Sequence, residues 1–297
     1  MSEHLRFDGR VAVVTGAGRG LGRAYARLLA ERGAAVVVND LGGSMAGEGA
    51  DAGPAAAVAA EITDAGGTAI ADTSDVATEP GAEALVGAAA RAFGRVDVLV
   101  ANAGIMRWAP FPDVPTDDYE AHLAVHLGGS FFAARAAWPH FVDRGYGRVV
   151  LTTSTGMLGL PGNTAYAVAK GGVIGLARSL ATAGARHGVT ANCIAPAAST
   201  RMAAGGGPDM PPERVAPMVA YLAHEACRVS GEIYTAGAGR FARLFIASTP
   251  GWVDEGGAAT IEDVAAHWAA INDEAGYTVP ASLTDWSARF LSHLDPD

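Results

Sequence analysis

Tyr166 and Lys170 stand four residues apart near the start of a long apolar segment, which Asn163 or Thr164 can cap as a helix. On a helix, residues at this spacing share a face, so the phenol and the ammonium would be neighbours. A phenol ionises near pH 10, and ionising it near neutral pH requires about 4 kcal/mol of stabilisation. A fixed cation can supply this, and a cationic cofactor ring could add to it. The pair indicates acid–base catalysis, although a packed ring beside a solvated amine is the commoner arrangement.

A glycine-rich turn stands near the start of the chain, in the stretch Thr15–Gly22. It follows the first predicted strand and opens the first predicted helix. Glycines permit a tight turn and a close backbone approach, so the helix N-terminus can face a pyrophosphate. In this context a dinucleotide is the predicted ligand, and its predicted contacts are Gly16, Arg19, Gly20, Leu21 and Gly22.

Asp40 ends the second predicted strand, eighteen residues beyond Gly22. A carboxylate there can accept both ribose hydroxyls of NAD, and it would repel a 2′-phosphate. Arg19 argues for the opposite preference, because a guanidinium in the glycine turn can hold a 2′-phosphate. Since Asp40 would first have to move or be neutralised, the sequence favours NAD and leaves NADP as the alternative. Further cofactor contacts are predicted at the ends of the third and fourth strands, at Asp75, Val76, Asn102, Ala103 and Gly104.

Composition and charge exclude several classes of protein. Half of the 297 residues are hydrophobic and the net charge is −10, which argues against nucleic-acid and anionic-membrane partners. Cys193 and Cys227 are too few for a disulfide scaffold, and no signal peptide or membrane-length apolar run is recognised. The histidines lack metal-ligand spacing, so no catalytic metal is predicted. We therefore expect a cytoplasmic protein that acts on a small molecule.

Apolar runs alternate with amphipathic segments, which is typical of a doubly wound parallel α/β sheet. We predict one domain, 1–297, built on a seven-stranded Rossmann sheet in the order 3-2-1-4-5-6-7. The predicted strands are Val11–Thr15, Ala35–Asn39, Thr68–Asp72, Val96–Val100, Arg148–Thr153, Val189–Ile194 and Glu232–Thr235. The predicted helices are Gly20–Arg32, Pro54–Ala65, Gly81–Phe93, Thr116–Arg144, Thr164–His187 and Pro211–Glu225.

A helical extension, 237–297, follows the predicted sheet. Thr260 with Asp263, and Ser282 with Asp285, have the spacing of capping boxes for two helices. We expect both helices to pack on the main body.

Three motifs carry a family resemblance: Thr-Gly-x-x-x-Gly-x-Gly at Thr15–Gly22, Asn-Ala-Gly at Asn102–Gly104 and Tyr-x-x-x-Lys at Tyr166–Lys170. Together they resemble the motifs of the short-chain dehydrogenase/reductase family, and the three in this order are far more specific than any one. Within that family the chain is similar to the (3R)-hydroxyacyl-CoA dehydrogenase part of peroxisomal multifunctional enzyme type 2, the 17β-hydroxysteroid dehydrogenase type 4-like subgroup. This further likeness rests on Val37–Gly43, Val125–Leu127, Ala136–Trp138, Ile194–Pro196, His224–Cys227 and Gly237–Gly239.

The resemblance implies an oxidoreductase that interconverts a secondary alcohol and a ketone by hydride transfer with NAD. Tyr166 would exchange a proton with the substrate oxygen, and Lys170 would lower the pKa of Tyr166 and hold the nicotinamide ribose. The family has a serine thirteen residues before the tyrosine, and that position is Thr153 here, with Ser154 next to it. Neighbouring strand residues face opposite ways, so only one hydroxyl can point into the site. The spacing from the tyrosine favours Thr153 as the catalytic hydroxyl, whereas the residue type favours Ser154.

His126 replaces the asparagine that completes the family's proton relay through a water. Because this histidine is usual in the subgroup, activity is still expected, and the alternative is a histidine bonded within the long helix. The resemblance also implies that Pro196, Ser199 and Thr200 border the nicotinamide. The Gly/Pro-rich stretch Ala203–Pro212 follows in the chain. We expect it to form either a substrate lid or an ordinary surface loop.

A 3-hydroxyacyl-CoA is the first substrate that the resemblance implies. A ketoreductase for another lipophilic or polyketide-like ketone is an alternative, since the Gly/Pro-rich loop after Met202 is short. A nucleotide-binding relative without turnover is a further alternative, but it predicts a damaged tyrosine–lysine pair. The family and the apolar faces of its two long helices also imply a homodimer or homotetramer.

Overall fold

The computed structural model of the protein describes residues 4–202 and 210–294. Within these residues the chain forms two compact units, which meet in sequence between Arg243 and Leu244. The predicted single domain and the predicted packing of the extension on the main body stay predictions. Residues 203–209, most of the stretch expected to form a lid or a surface loop, lie outside the described residues.

A sheet forms the centre of the first unit. Its strands are β1 (Val11–Thr15), β2 (Ala35–Asn39), β3 (Thr68–Asp72), β4 (Val98–Ala101), β5 (Gly147–Thr152), β6 (Val189–Ala197), β7 (Ile233–Gly237) and β8 (Arg240–Leu244). They lie in the order β3-β2-β1-β4-β5-β6-β7-β8, and the first seven pair in parallel. Every residue of β1, β4 and β5 is buried, which explains their continuous apolar runs. The predicted doubly wound α/β sheet is confirmed, with one strand more than expected.

The additional strand, β8, follows a two-residue turn after β7. Ala238 and Gly239 both have positive φ, 49° and 80°. Positive φ at both central residues is the geometry that joins twisted hairpin strands most readily. Alanine adopts this conformation at a cost, and the usual Asn-Gly signal is missing. The sequence pattern therefore did not indicate a hairpin.

Helices cover the sheet: α1 (Gly20–Glu31), α2 (Gly53–Asp64), α3 (Glu79–Phe93), α4 (Thr116–His122), α5 (Gly129–Arg144), α6 (Thr164–Gly184) and α7 (Ala216–Ala223). Alternate strand residues, such as Val14 and Val100, pack in one core with Tyr25 and Leu29 of α1. Because strand residues alternate between faces, Val13 is buried on the opposite side. Burial on both faces holds the strand ends, and the loops that follow them, in fixed positions.

The predicted helix over Thr116–Arg144 is helical throughout, but it is not α-helical over its whole length. α4 ends at His122, a π-helical turn spans Leu123–Gly128, and α5 begins at Gly129. A π-turn inserts an extra residue into a helix and is frequent at functional sites. It leaves no mark in an apolar pattern, since the residues on both sides remain helical. The α-helix predicted over Pro211–Glu225 is shorter than expected, because a 3₁₀ turn at Pro212–Arg214 precedes α7 and α7 ends at Ala223.

The second unit contains α8 (Ile261–Ala266), α9 (Trp268–Ile271) and α10 (Leu283–Phe290). The capping box predicted at Thr260 is present, because its hydroxyl accepts from the Asp263 amide while Asp263 accepts from the Thr260 amide. At α10 only half of the box forms. Ser282 accepts from the Asp285 amide, but Asp285 accepts from the Ala281 amide.

Candidate active site

The carboxyl ends of the parallel strands border a cavity of about 650 Å³ in the first unit. This is the edge of a doubly wound sheet at which ligands bind. Of the residues predicted from the sequence, Gly22 and Ser199 lie outside the lining. The predicted residues that do line the cavity are Gly16, Arg19, Gly20, Leu21, Asp40, Asp75, Val76, Asn102, Ala103, Gly104, His126, Thr153, Ser154, Tyr166, Lys170, Pro196 and Thr200.

The glycine turn leaves a backbone cradle in which Gly16, Gly18 and Gly22 have no room for a side chain. A Cβ atom at Gly18 would lie 2.8 Å from Asp40 Oδ2. Gly20, with φ of 52°, faces Thr200, whose Cγ2 would be 3.6 Å from an added Cβ. Gly22 has a packing role instead, since a Cβ there would lie 2.2 Å from the Gly16 carbonyl oxygen. The cradle suits a ligand that approaches the backbone closely, such as a pyrophosphate.

Asp40 is fixed at the wall of the cavity by backbone donors. Its carboxylate accepts hydrogen bonds from the Gly18 amide at 2.8 Å and from the Gly42 amide at 2.7 Å. Arg19 is directed at the Gly43 carbonyl, with Nη1 3.5 Å from the oxygen. A negative charge therefore stands at the end of β2, where the sequence predicted a contact with the cofactor ribose.

Asn102 supports the glycine turn from the neighbouring strand. Its Nδ2 donates to the carbonyl oxygens of Thr15 and Gly16, each at 3.1 Å. In return, the Thr15 hydroxyl accepts from the amides of Asn102 and Ala103 at 2.9 and 3.0 Å. The end of β1 and the end of β4 are thus locked together beneath the cradle.

Tyr166 and Lys170 lie on the first two turns of α6, where Asn163 forms the predicted N-cap. The Lys170 Nζ atom is 5.7 Å from the centroid of the Tyr166 ring and donates to the Thr152 carbonyl at 2.6 Å. The structure thus brings the predicted pair together on one face of the helix at the floor of the cavity.

The two candidate hydroxyls at the end of β5 point to different partners. The Thr153 hydroxyl is buried and donates to the Lys170 carbonyl at 2.7 Å. The Ser154 hydroxyl accepts from the Gly156 amide at 3.0 Å and lies close enough to the Tyr166 phenol to lower its pKa. The hydroxyl beside the tyrosine therefore comes twelve residues before it in the chain, one fewer than the family spacing that had favoured Thr153.

Burial controls the protonation of the tyrosine–lysine pair. It raises the pKa of Tyr166, and the nearby Ser154 hydroxyl offsets part of that rise. Burial also lowers the pKa of Lys170 to about 7. The lowering of the Tyr166 pKa by Lys170 that the resemblance implied is not found. Both groups favour their neutral forms, because removing a charge from water costs more here than the pair regains.

His126 lies in the π-turn and bonds outside its own helix. Its Nε2 is 2.9 Å from the Ile105 carbonyl oxygen, in the loop after β4, and its ring centroid is 5.2 Å from that of Tyr166. The Ile105 amide also lies 3.3 Å from Nε2, and Nδ1 has no hydrogen-bond partner among the described residues. Burial lowers the pKa of His126 and keeps the ring neutral. The alternative of a histidine bonded within the helix does not fit these contacts.

Comparison with known proteins agrees with this geometry. A family model described as short chain dehydrogenase matches residues 10–209. The chain belongs to the short-chain dehydrogenase/reductase family. It is therefore an oxidoreductase of a family that uses NAD(P). The resemblance recognised in the sequence is confirmed.

Relatives of this dehydrogenase include a protein of similar length and longer proteins. A short-chain type dehydrogenase/reductase of Mycobacterium tuberculosis, Rv0148, is 46% identical over 273 residues, which are 90% of this chain and 95% of that protein. Peroxisomal multifunctional enzyme type 2 of Drosophila melanogaster is 45% identical over 302 residues, 98% of this chain but 50% of that protein. The solved structure of the full-length Drosophila enzyme superposes with a TM-score of 0.83 at 35% identity, again over 98% of this chain and 50% of the other. The dehydrogenase thus spans about half of the Drosophila enzyme.

The described part of the dehydrogenase has neither a helix able to span a membrane nor a group of three metal-ligating side chains. Three residues that support the site were not predicted as site residues, although the sequence indicated Asn163 as a helix cap and Thr15 as the start of the glycine motif. Thr15 supports the cradle, the Thr152 carbonyl holds Lys170, and Asn163 connects α6 to the loop after β4. Thr15 could have been found, because it begins the glycine motif. The other two act through contacts that depend on the tertiary structure.

The titration of Lys170 can be tested directly, since it is the only lysine in the chain. Its pKa falls from the ordinary value of 10.5 to about 7 on folding, so the unfolded state binds the proton more readily than the folded state. Stability should therefore rise as the pH increases from about 7 to 10.5. Lys170→Met should remove up to about 1.4 kcal/mol per pH unit from that slope, as measured by urea unfolding. Parallel pH profiles for the two proteins would contradict this, as would a lysine NMR signal titrating near 10.5 in the folded enzyme.

Proposed function

We propose that this dehydrogenase is an NAD-dependent enzyme that interconverts the alcohol and the ketone of a 3-hydroxyacyl-CoA. The observation that carries the proposal is that Ser154, Tyr166 and Lys170 line one cavity, with Lys170 Nζ 5.7 Å from the centroid of the Tyr166 ring and Ser154 close enough to the phenol to lower its pKa. Such an arrangement can exchange a proton with a substrate oxygen that both hydroxyls reach.

The residues of the cavity fit a nicotinamide dinucleotide. The cradle at Gly16–Leu21 suits the pyrophosphate, and Asp40 suits the adenosine ribose. Asp75, Val76 and Asn102–Gly104 would complete the adenosine side. Pro196 and Thr200 would border the nicotinamide, and Thr200 is preferred over Ser199 because its side chain faces Gly20. When bound, the nicotinamide accepts or donates the hydride.

Side chains of the protein transfer the proton to and from the substrate oxygen. In reduction, Tyr166 donates its phenolic proton to the ketone oxygen, and the raised pKa keeps that proton available at neutral pH. Ser154 donates a hydrogen bond to the same oxygen and stabilises its developing charge. In oxidation, Tyr166 must first ionise, and the positive charge of the oxidised nicotinamide favours that ionisation. Lys170 is held by the Thr152 carbonyl and is placed to bind the nicotinamide ribose. The buried Nδ1 atom of the neutral His126 has no partner among the described residues and is available for a further hydrogen bond.

The substrate class is supported by the walls of the cavity and by the relatives. Apolar side chains line the cavity beside the catalytic residues, namely Met45, Ile105, Met106, Trp108, Leu160 and Met202. A hydroxyacyl-CoA dehydrogenase of M. tuberculosis, ChsB1, is 37% identical over 249 residues, 76% of this chain and 77% of that protein. Another lipophilic ketone would suit the same apolar walls and is the second candidate. A relative without turnover is disfavoured, because the tyrosine–lysine pair is intact.

The proposal is tested by a panel of 3-ketoacyl-CoA esters and free lipophilic ketones, each assayed with NADH and with NADPH. We expect the highest kcat/KM for a 3-ketoacyl-CoA with NADH. Turnover of the free ketones alone would favour the second candidate. NADH binding without turnover of any compound would favour a non-catalytic protein.

The choice between the two hydroxyls gives a further prediction. Ser154→Ala should lower kcat by about 10²-fold, because it removes a donor to the reacting oxygen. Thr153→Val, a substitution of similar shape, should mainly cost about 1 kcal/mol of stability through the lost bond to Lys170. Steady-state kinetics and thermal unfolding of both variants separate the two roles. The reverse pattern would identify Thr153 as the catalytic hydroxyl.

We further propose a homodimer or homotetramer in the cytoplasm. Phe131 of α5 and Val168 of α6 are 43% and 45% exposed, so these helices present apolar surface that a second copy could cover. Light scattering should give two or four times the chain mass of 30.1 kDa. A species of a single chain mass would contradict the oligomer.

A further inference from the structure

Asn163, the N-cap of α6, connects the catalytic helix to the wall of the cavity. Its Oδ1 accepts from the Tyr166 amide at 3.1 Å, and its Nδ2 donates to the Arg107 carbonyl at 2.9 Å and to Met106 Sδ at 3.0 Å. The side chain is almost completely buried. Each polar atom of the amide is used, and the donors and acceptors around it allow only this orientation of the group.

The segment that Asn163 holds is itself anchored on two other elements. The Arg107 side chain donates to the Ala46 carbonyl at 2.8 Å, and the Arg107 amide donates to His122 Nε2 at 3.3 Å. Arg107 also forms an ion pair with Asp118 of α4 at 3.1 Å. Residue 107 is therefore a fixed point, and Met106 beside it lines the cavity.

We propose that Asn163 is a positioning residue that sets the place of the Tyr166 hydroxyl relative to Ser154 and the substrate wall. The proposal rests on the proposed function of Tyr166. A cap alone would need only an acceptor for the Tyr166 amide. The amide of Asn163 adds a donor side that ties the same helical turn to the loop after β4, so helix and wall cannot shift independently. Small displacements of reacting groups have large effects on rate.

Two substitutions separate the cap from the connection to the loop. Asn163→Ser keeps an oxygen that can cap the Tyr166 amide, but it is too short to reach the Arg107 carbonyl. Asn163→Ala removes both contacts. Thr78→Ala is the matched control, since Thr78 caps α3 by accepting from the Gly81 amide at 3.2 Å and does not line the cavity. Asn163→Ala and Thr78→Ala each lose a helix-cap contact, whereas Asn163→Ser loses only the contacts to the loop after β4. Only the Asn163 variants change the surroundings of Tyr166.

We expect both Asn163 variants to lose kcat by about 10- to 100-fold, with the NADH dissociation constant unchanged. The pH midpoint of kcat/KM for oxidation should move upward, because a displaced phenol loses the nearby Ser154 hydroxyl that lowers its pKa. Thr78→Ala should lose thermal stability without either change. Should Asn163→Ser keep the wild-type kcat and pH midpoint, the positioning role is overturned. Tyr166→Phe, assayed beside them, separates the two ideas: full turnover there would overturn the proposed function itself.

Discussion

Replacing Tyr166 with phenylalanine should lower turnover by about 10²- to 10⁴-fold, because the substitution removes the hydroxyl that exchanges the proton with the substrate. The ring and its burial remain, and so does the cavity. NADH binding should therefore persist, and fluorescence titration of the cofactor beside steady-state kinetics measures both quantities. A variant that binds NADH and turns over at the wild-type rate would contradict the mechanism.

Tyr25→Phe is the matched control for this substitution. Tyr25 is 1% exposed in α1, and its hydroxyl has no hydrogen-bond partner among the described residues. Removing an unsatisfied buried hydroxyl should leave stability unchanged or raise it by about 1 kcal/mol. Removal of a buried tyrosine hydroxyl should thus lower turnover at Tyr166 and leave turnover unchanged at Tyr25. A large loss of turnover in Tyr25→Phe would show that removal of a buried tyrosine hydroxyl acts indirectly.

Asp40→Asn should change the ratio of kcat/KM for NADPH to that for NADH by about three orders of magnitude in favour of NADPH. Two like charges about 4 Å apart near a protein surface repel by about 4 kcal/mol, and each 1.4 kcal/mol corresponds to a tenfold change. Asparagine keeps the size of the side chain and one acceptor for the backbone amides of Gly18 and Gly42. The substitution therefore removes the charge together with one of the two backbone hydrogen bonds.

Two further substitutions test the assignment to Asp40. Asp51→Asn lies in the same loop, where its carboxylate accepts from the Gly53 amide at 2.8 Å outside the cavity lining, so the cofactor ratio should stay the same. Arg19→Ala should weaken NADPH more than NADH if the guanidinium holds a 2′-phosphate. Strong NADPH use by the unmodified enzyme, lost in Arg19→Ala, would overturn the NAD preference.

Much of the fold and part of the site could be predicted from local sequence patterns, because backbone conformation and side-chain spacing depend on only a few neighbouring residues. Apolar runs bounded by turns indicated the seven parallel strands, and the glycines of Gly16–Gly22 indicated a tight turn whose backbone a ligand can approach closely. The spacing of Tyr166 and Lys170 placed them on one helical face. Each inference needs only the repeat of a helix or strand and the space required by a Cβ atom.

Contacts between distant parts of the chain decided the rest. Ser154 and Thr153 are adjacent, and no local rule says which one meets a tyrosine on another element. The π-turn before α5 and the hairpin of β8 rest on backbone conformations that the residue types only weakly favour. Burial raises the pKa of Tyr166 and lowers that of Lys170, so the expected lowering of the Tyr166 pKa by Lys170 is not found. The cost of a charge in the cavity depends on the elements that close over it. Spacing along the chain therefore identified the chemical groups, whereas their orientation and protonation came from packing between elements.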